Sequence, residues 1–337
     1  MLNYAIIGFG ALGKVHFSCY GELKERVPEV KLVAICDSAA AAFNSQAKTN
    51  LGTTSANLDL SAYKIYADCE EMFEKEKLDF VIVALPTFVR AEICMSAMRH
   101  GINVFSEKPI SLTLDEASML LDGARECGVK FHVGQCLRFS HHVKLLKEAL
   151  ESGKYGRVIR AEFNRISPLA DWSRNNWLLD EKKSGGAALD MHIHDTDLIN
   201  YLFGIPEAVS SHATNYKTEF ECIDTVYHYP DGKLVTSIGD WGMPGCFKFE
   251  QSYTVRFEKA TLVFEDDVLT LFNEGGEEKI LPNVSVNHYV EEVVDFLDCI
   301  KNGVDSTVND PTTARDALTV VLAEKKSART GEKVFIK

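Results

Sequence analysis

A chain of 337 residues is longer than the size at which a single hydrophobic core usually stops growing, so two domains are expected. With 46% hydrophobic and 25% charged residues and no low-complexity tract, the composition excludes a disordered chain. A formal net charge of −13, with basic residues no more clustered than the isolated pair Lys182-Lys183, excludes nucleic acid and anionic membrane as general partners.

The first third alternates short apolar runs with amphipathic ones, the pattern of parallel strands joined by crossover helices. Strands are predicted over residues 4–8, 31–36, 64–66, 79–85 and 103–106. Between the first two, Leu12, Val15, Cys19 and Leu23 recur at helical spacing, so the connection is a helix with one buried face and a right-handed crossover. Thr113 and Glu116 form a capping-box pattern, and Gly128 offers the stop for the helix they open. Residues 129–135 alternate and read as a further strand.

A boundary near residue 126 divides the chain into a dinucleotide-binding domain, 1–126, and a second domain, 127–337. The latter opens with a helix over 141–151, a strand over 157–166 and a helix over 190–203. Alternating runs follow at 208–216, 225–228, 234–240, 252–258, 261–264 and 268–272. The turn signals Pro230-Asp231-Gly232 and Gly275-Gly276 among them predict a largely antiparallel sheet. Helices over 289–301 and from Asp310-Pro311 close the chain, the latter with a good N-cap and Pro at the first helical position.

Nine cysteines, without a Cys-x-x-Cys pair and with Cys36, Cys94 and Cys136 inside apolar runs, read as reduced core thiols. The chain opens on a strand-like run, residues 3–8, with no leader pattern before it and no stretch long enough to span a bilayer. These features predict a cytoplasmic protein.

Chemistry-bearing motifs stand at three places. Gly8-Phe9-Gly10-Ala11-Leu12-Gly13 is a G-x-G-x-x-G set where a strand turns into a helix, and Asp37 ends the next strand. Gly8 suits the tight turn, Gly10 a close backbone approach to a pyrophosphate and Gly13 helix-to-strand packing, while the helix N-terminus offers N–H groups to phosphate. Asp37 would accept hydrogen bonds from an adenosine ribose and repel a 2′-phosphate. Ser38-Ala39-Ala40 brings no cation to neutralise one, so NAD is expected rather than NADP.

Glu107-Lys108-Pro109 follows the fifth strand, at the carboxyl edge where ligands sit in open α/β sheets. There the Lys108 ammonium suits a substrate oxygen that gains negative charge. In mid-chain, Asp190, His194 and Asp197 stand at i, i+4 and i+7 of the predicted helix, an arrangement suited to a histidine general base held by a carboxylate. His192 and His194 are two apart and point to different sides of a helix, so no metal is expected. A nucleophile elbow and a catalytic-cysteine context are both missing.

The combination of GFGALG, EKP and GGAALDMHIHDTDL resembles the glucose-fructose oxidoreductase / inositol dehydrogenase (Gfo/Idh/MocA) family, with element order and domain sizes agreeing along the whole chain. The resemblance implies a Rossmann doubly wound parallel sheet followed by an α+β domain with a large, mostly antiparallel open sheet. It implies that Lys108 is the catalytic lysine, that His194 is the acid/base, that Asp190 binds substrate and orients His194, and that Asp197 contacts substrate. A homo-oligomer, and a final helix docked on the nucleotide domain, are further implications.

Cofactor contacts are expected from the glycine turn, Asp37, Ser38, Leu85, Pro86, Thr87, Glu107, Lys108 and Gln135. The loop from Leu85 departs from the family's TPNxxH segment in having Leu85 for Thr, Thr87 for Asn and Arg90 for His. Candidate substrate-pocket groups are Arg138, Asp171, Trp172, Asn176 and Trp177. Taken together, these readings predict reversible hydride transfer between NAD and a secondary alcohol of a sugar, polyol or sugar derivative. The alternatives are a non-catalytic NAD-binding regulator and a dihydrodiol-type dehydrogenase.

Overall fold

The computed structural model describes residues 1–39, 41–44, 46, 48, 49, 52, 53, 58–280 and 286–336. Ala40, part of the cation-free stretch after Asp37, lies outside them. The chain forms two compact units, Met1–Cys136 with Tyr289–Arg315, and Leu137–His288 with Asp316–Lys337.

The first unit is built on β1 (Leu2–Ile7), β2 (Val30–Cys36), β5 (Lys64–Tyr66), β6 (Phe80–Val83), β7 (Asn103–Glu107) and β8 (Phe131–Gly134), with a short ribbon of β3 (Lys48–Thr49) and β4 (Gly52–Thr53) beside them. The six sheet strands run in the order β5-β2-β1-β6-β7-β8, all parallel. Both faces are covered, so the central strands are buried without alternation, as in the fully buried Phe80–Val83. Tyr4 stacks on Phe80 at 4.7 Å, and Phe296 from the helix His288–Asn302 packs edge-on against Phe80 and Phe105.

The predicted strands of this unit all form. Two expectations differ in detail. The connection from β1 to β2 is a pair of helices, Ala11–Ser18 and Tyr20–Arg26, and Cys19 between them stays helical, so Cys19 and Leu23 still face the core. β8 pairs parallel with β7, so the first sheet runs past residue 126.

The second unit carries a nine-stranded sheet in the order β16-β15-β14-β13-β9-β12-β11-β10-β17. Its strands are β9 (Val158–Pro168), β10 (Ala208–Thr214), β11 (Cys222–His228), β12 (Leu234–Met243), β13 (Glu250–Phe257), β14 (Ala260–Glu265), β15 (Val268–Asn273), β16 (Gly276–Ile280) and β17 (Val334–Phe335). Every pairing is antiparallel except β9 with β12. One face packs Phe163, Tyr227, Tyr253 and Phe257 with Val143 and Leu146 of the helix His141–Glu151 and Leu198, Ile199 and Leu202 of the helix Ile193–Phe203. The other face is less buried, which accounts for the period-two pattern. The edge strands β16 and β17 carry no such signal, because β16 is charged and exposed and β17 is two residues long. Among the described residues, no helix is long and apolar enough to cross a membrane.

Candidate functional site

In the first unit, the glycine turn is shaped by what little space surrounds it. Gly8 has φ +87°, and a Cβ there would lie 2.7 Å from the Ala84 carbonyl oxygen. Around Gly10 there is open space, whereas a Cβ on Gly13 would overlap the carbonyl oxygen of Gly8. Gly10 caps the helix Ala11–Ser18 without a side-chain hydrogen bond, and no acidic residue lies in its first turn. This is a ready anion cradle. Asp37 fastens it: Oδ2 accepts from Phe9 N at 2.8 Å and Oδ1 from Ala39 N at 2.8 Å. Phe9 thus offers neither its amide nor its ring, which is fully buried against Phe17 and Phe43. Ala11 and Leu12 are half-buried at the helix start, and Ser38 is exposed.

Because Gly13 touches Gly8, Gly13→Ala is expected to force the turn open. The cost is about 1–3 kcal/mol of stability, and NAD binding followed by calorimetry should weaken at least ten-fold. Unchanged affinity in a folded variant would rule out the close approach.

The sheet's carboxyl edge holds the other expected cofactor residues of this unit. Leu85 and Pro86 are half-buried and Thr87 is buried at the start of the helix Thr87–Arg99. Arg90, which stands where the family has His, is buried; its Nη1 donates to the Leu85 carbonyl at 3.2 Å and its Nη2 to the Pro109 carbonyl. It therefore ties the post-β6 loop to the turn that carries Lys108, a role the sequence did not suggest. The Lys108-Pro109 peptide is cis. Glu107 is buried, and its Oε1 pairs with His16 Nε2 at 2.8 Å while its Oε2 accepts from Lys108 N at 3.3 Å. Burial pushes the Glu107 carboxyl up, but His16, Lys108 and Arg90 outweigh it and hold the group below the usual range. Gln135, just past β8, is buried, with its side-chain nitrogen lacking a hydrogen-bond partner among the described residues. An open helix end, a cleared Gly10 and an unsatisfied buried amide fit a dinucleotide.

In the second unit, the expected helix from Asp190 begins as a π turn, Ala188–His192, and becomes regular over Ile193–Phe203. The segment from Asp190 to Asp197 is therefore not one uniform α-helix, and the expected i, i+4, i+7 spacing is interrupted at its start. Asp190 and His194 remain partly exposed. Asp197 does not: it is 2% exposed and paired with Arg138, itself 2% exposed, through Nε–Oδ2 at 2.9 Å and Nη2–Oδ1 at 2.5 Å. Two expected substrate contacts are therefore paired with each other in the core through two charge-assisted bonds. Burial raises the Asp197 carboxyl pKa and the Arg138 guanidinium works against it.

Two further buried pairs hold the same helical segment. Arg165 grips Asp195 at 2.7 and 3.0 Å, and His192 Nε2 lies 3.0 Å from Glu324, whose charge outweighs the effect of burial and raises the imidazole pKa. Their partners lie about 30 and 130 residues away along the chain, out of reach of local pattern reading. Of the pocket candidates, Trp172 and Trp177 are half-buried, and Trp172 Nε1 has no hydrogen-bond partner among the described residues. Asp171 and Asn176 are exposed. No disulfide joins any of the nine cysteines, and Cys36, Cys94 and Cys136 are buried. His132, Asp295 and Cys299 of the first unit bring donor atoms of the types that hold a divalent ion within 4.8 Å, although His132 and Asp295 already share a hydrogen bond at 3.2 Å.

Residues 2–135 match a family described as GFO_IDH_MocA, oxidoreductase family, NAD-binding Rossmann fold, and residues 143–263 match the GFO/IDH/MocA C-terminal domain. A 2,7-anhydro-N-acetylneuraminate hydratase of Mediterraneibacter gnavus is 30% identical over 210 residues, 62% of this chain and 51% of that protein. The scyllo-inositol 2-dehydrogenase (NAD(+)) of Bacillus subtilis is 27% identical over 332 residues, 90% of each. The chain spans about half the length of the first of the curated relatives it matches. Among solved structures, a levoglucosan dehydrogenase in complex with NADH and levoglucosan has a TM-score of 0.84 at 18% identity, covering 99% of both chains. That likeness concerns the fold.

Proposed function

Because the chain belongs to the Gfo/Idh/MocA oxidoreductase family, with an NAD-binding Rossmann fold, we propose that it transfers hydride between NAD and a secondary alcohol of a sugar, inositol or sugar derivative. The observation that carries the reading is the Asp37-fastened glycine turn opening onto an uncapped helix end, in a chain that also holds the EKP lysine and the partly exposed Asp190 and His194. Bound NAD supplies the hydride acceptor. His194 takes the hydroxyl proton, Lys108 stabilises the oxygen as it gains negative charge, and Asp190 orients His194 and binds substrate. Trp172, with its unsatisfied indole N–H, is a candidate for a sugar face and hydroxyl. A cytoplasmic homo-oligomer belongs to the same proposal.

The test is incubation with NAD and a panel of sugars, inositols and diols, read by NADH absorbance. A second reading comes from the relative named as a hydratase: substrate consumed without net NADH would favour it. Neither NADH nor consumption with any member of the panel would point to a regulator.

Asp37 sets the cofactor preference in this reading. NADH is expected to bind at least ten-fold more tightly than NADPH, and Asp37→Ala should weaken NADH about 10–100-fold, the range of one charge-assisted hydrogen bond, by fluorescence titration. Tighter binding of NADPH to the unaltered protein would overturn the role of Asp37.

A further inference from the structure

Glu292 sits on the helix His288–Asn302, in the stretch that belongs to the first unit. It is 0% exposed, and neither carboxylate oxygen has a hydrogen-bond partner among the described residues. An ionised carboxylate cannot remain in such a place without compensation. Its neighbours do not provide it. Donor atoms of Glu292, of Glu107 at the end of β7 and of His16 in the helix Ala11–Ser18 all lie within 4.8 Å of one another, and His16 is already bound to Glu107 at 2.8 Å. On its own helix, Tyr289 is held far above its usual pKa by burial and by Cys136, Glu107, Glu292 and Cys19. The cations near the cluster, Lys108 and Arg90, act on Glu107. Of the two buried carboxylates, Glu107 is bound to the one imidazole, and Glu292 has no such partner among the described residues.

Such a pair relieves its repulsion by holding a proton on one member. Glu107 has His16 on one oxygen and the Lys108 amide on the other, so it keeps the charge. Glu292 has neither. Burial and the Glu107 charge both push its carboxyl well above the usual range.

We propose that Glu292 is a positioning residue for Lys108: it remains a neutral carboxylic acid at working pH, so that the cluster's single negative charge rests on Glu107 and clamps the turn bearing Lys108. Space around that clamp is tight, since a Cβ on Gly134 would lie 3.3 Å from Glu107 Oε2. A second charge would drive Glu107 from its bonds to His16 and the Lys108 amide. The proposal rests on Lys108 acting in catalysis as described above.

A folded-state pKa raised above the unfolded value means that the stabilising contribution is whole at low pH and is lost as pH rises through the folded value. The full-length protein is therefore expected to lose Tm as pH rises from the ordinary carboxylate range through the raised folded value, and Glu292→Gln, neutral at every pH, to lose about 2–4 °C less over that rise. Infrared spectra of the unaltered protein near neutral pH should show a protonated-carboxyl C=O band that the Gln variant lacks. With NAD and a confirmed substrate, the alkaline limb of kcat should move to higher pH in Glu292→Gln.

A pH-independent Tm, or a carboxyl band that survives the substitution, overturns the neutral acid, and the first needs no variant at all. One equivalent of tightly held divalent metal, whose removal lowers Tm, overturns it as well, because a dication would then supply the compensation. A band that is lost while the alkaline limb stays in place overturns the positioning role. Lys108→Ala with full turnover would instead remove the catalytic reading of Lys108, and the band and Tm results would be unaffected by that failure.

Discussion

Replacing His194 by alanine is expected to lower kcat by about 10²–10⁴-fold, the range of a lost general acid/base, with NAD binding retained. The binding is retained because the glycine turn and Asp37 belong to the first unit, whereas His194 lies in the second. Lys108→Ala should cost about 10²–10³-fold through the loss of charge stabilisation at the substrate oxygen. If the two groups serve one transition state, the double variant should fall little below the worse single one, since residues acting as a unit are not additive. His194 is partly exposed, so its removal leaves no large cavity and Tm should change by little. Steady-state kinetics on a confirmed substrate decide the matter. Full turnover in both single variants would end the assigned mechanism.

Arg138→Met should destabilise the protein by about 3–5 kcal/mol, the cost of stranding one member of a buried ion pair. The guanidinium spans Asp197 with two bonds and lies 5.1 Å from the centre of the Tyr201 ring, so its loss leaves an uncompensated carboxylate in a site 2% exposed. Removing the second charge as well, in Arg138→Met with Asp197→Leu, should recover most of that loss, because apolar groups of similar volume replace such pairs at little cost. Denaturant midpoints of the three variants provide the cycle. The contrary result is equally plain: a raised KM with an unchanged midpoint in Arg138→Met would return Arg138 to substrate binding.

Local chemistry made much of the first unit readable. β1, β2, β6 and β7 announce themselves as apolar runs of strand length because strands buried on both faces need side chains of one kind, whereas β5, three residues at the sheet edge and largely exposed, gives only a weak signal. Gly8 and Gly13 are legible for a steric reason confined to a few neighbours: a Cβ at either meets backbone. The caps are equally local. Thr113 Oγ1 accepts from Glu116 N and Asp310 Oδ1 from Thr312 N, contacts that span three residues or fewer. In the second unit the alternating strands could be read for the same reason, since one packed face and one freer face impose a period of two.

Composition, period-two and glycine signals alone therefore determined the class of fold, the place of the glycine turn and the position of the carboxylate that fastens it. Tertiary structure decided which polar groups are spent on the fold and which remain for chemistry. Asp197 and Arg138, 59 residues apart, look like substrate contacts in the sequence and are a buried pair in the fold. Arg90 looks like a departure from the family loop and is a tie between two turns. Glu292 is one acid among several on an amphipathic helix until burial leaves its carboxylate oxygens without a hydrogen-bond partner among the described residues. The reason is common to all three: a side chain's charge and hydrogen bonds are set by its distance from water and by atoms brought from elsewhere in the chain, and neither is a property of its sequence neighbours.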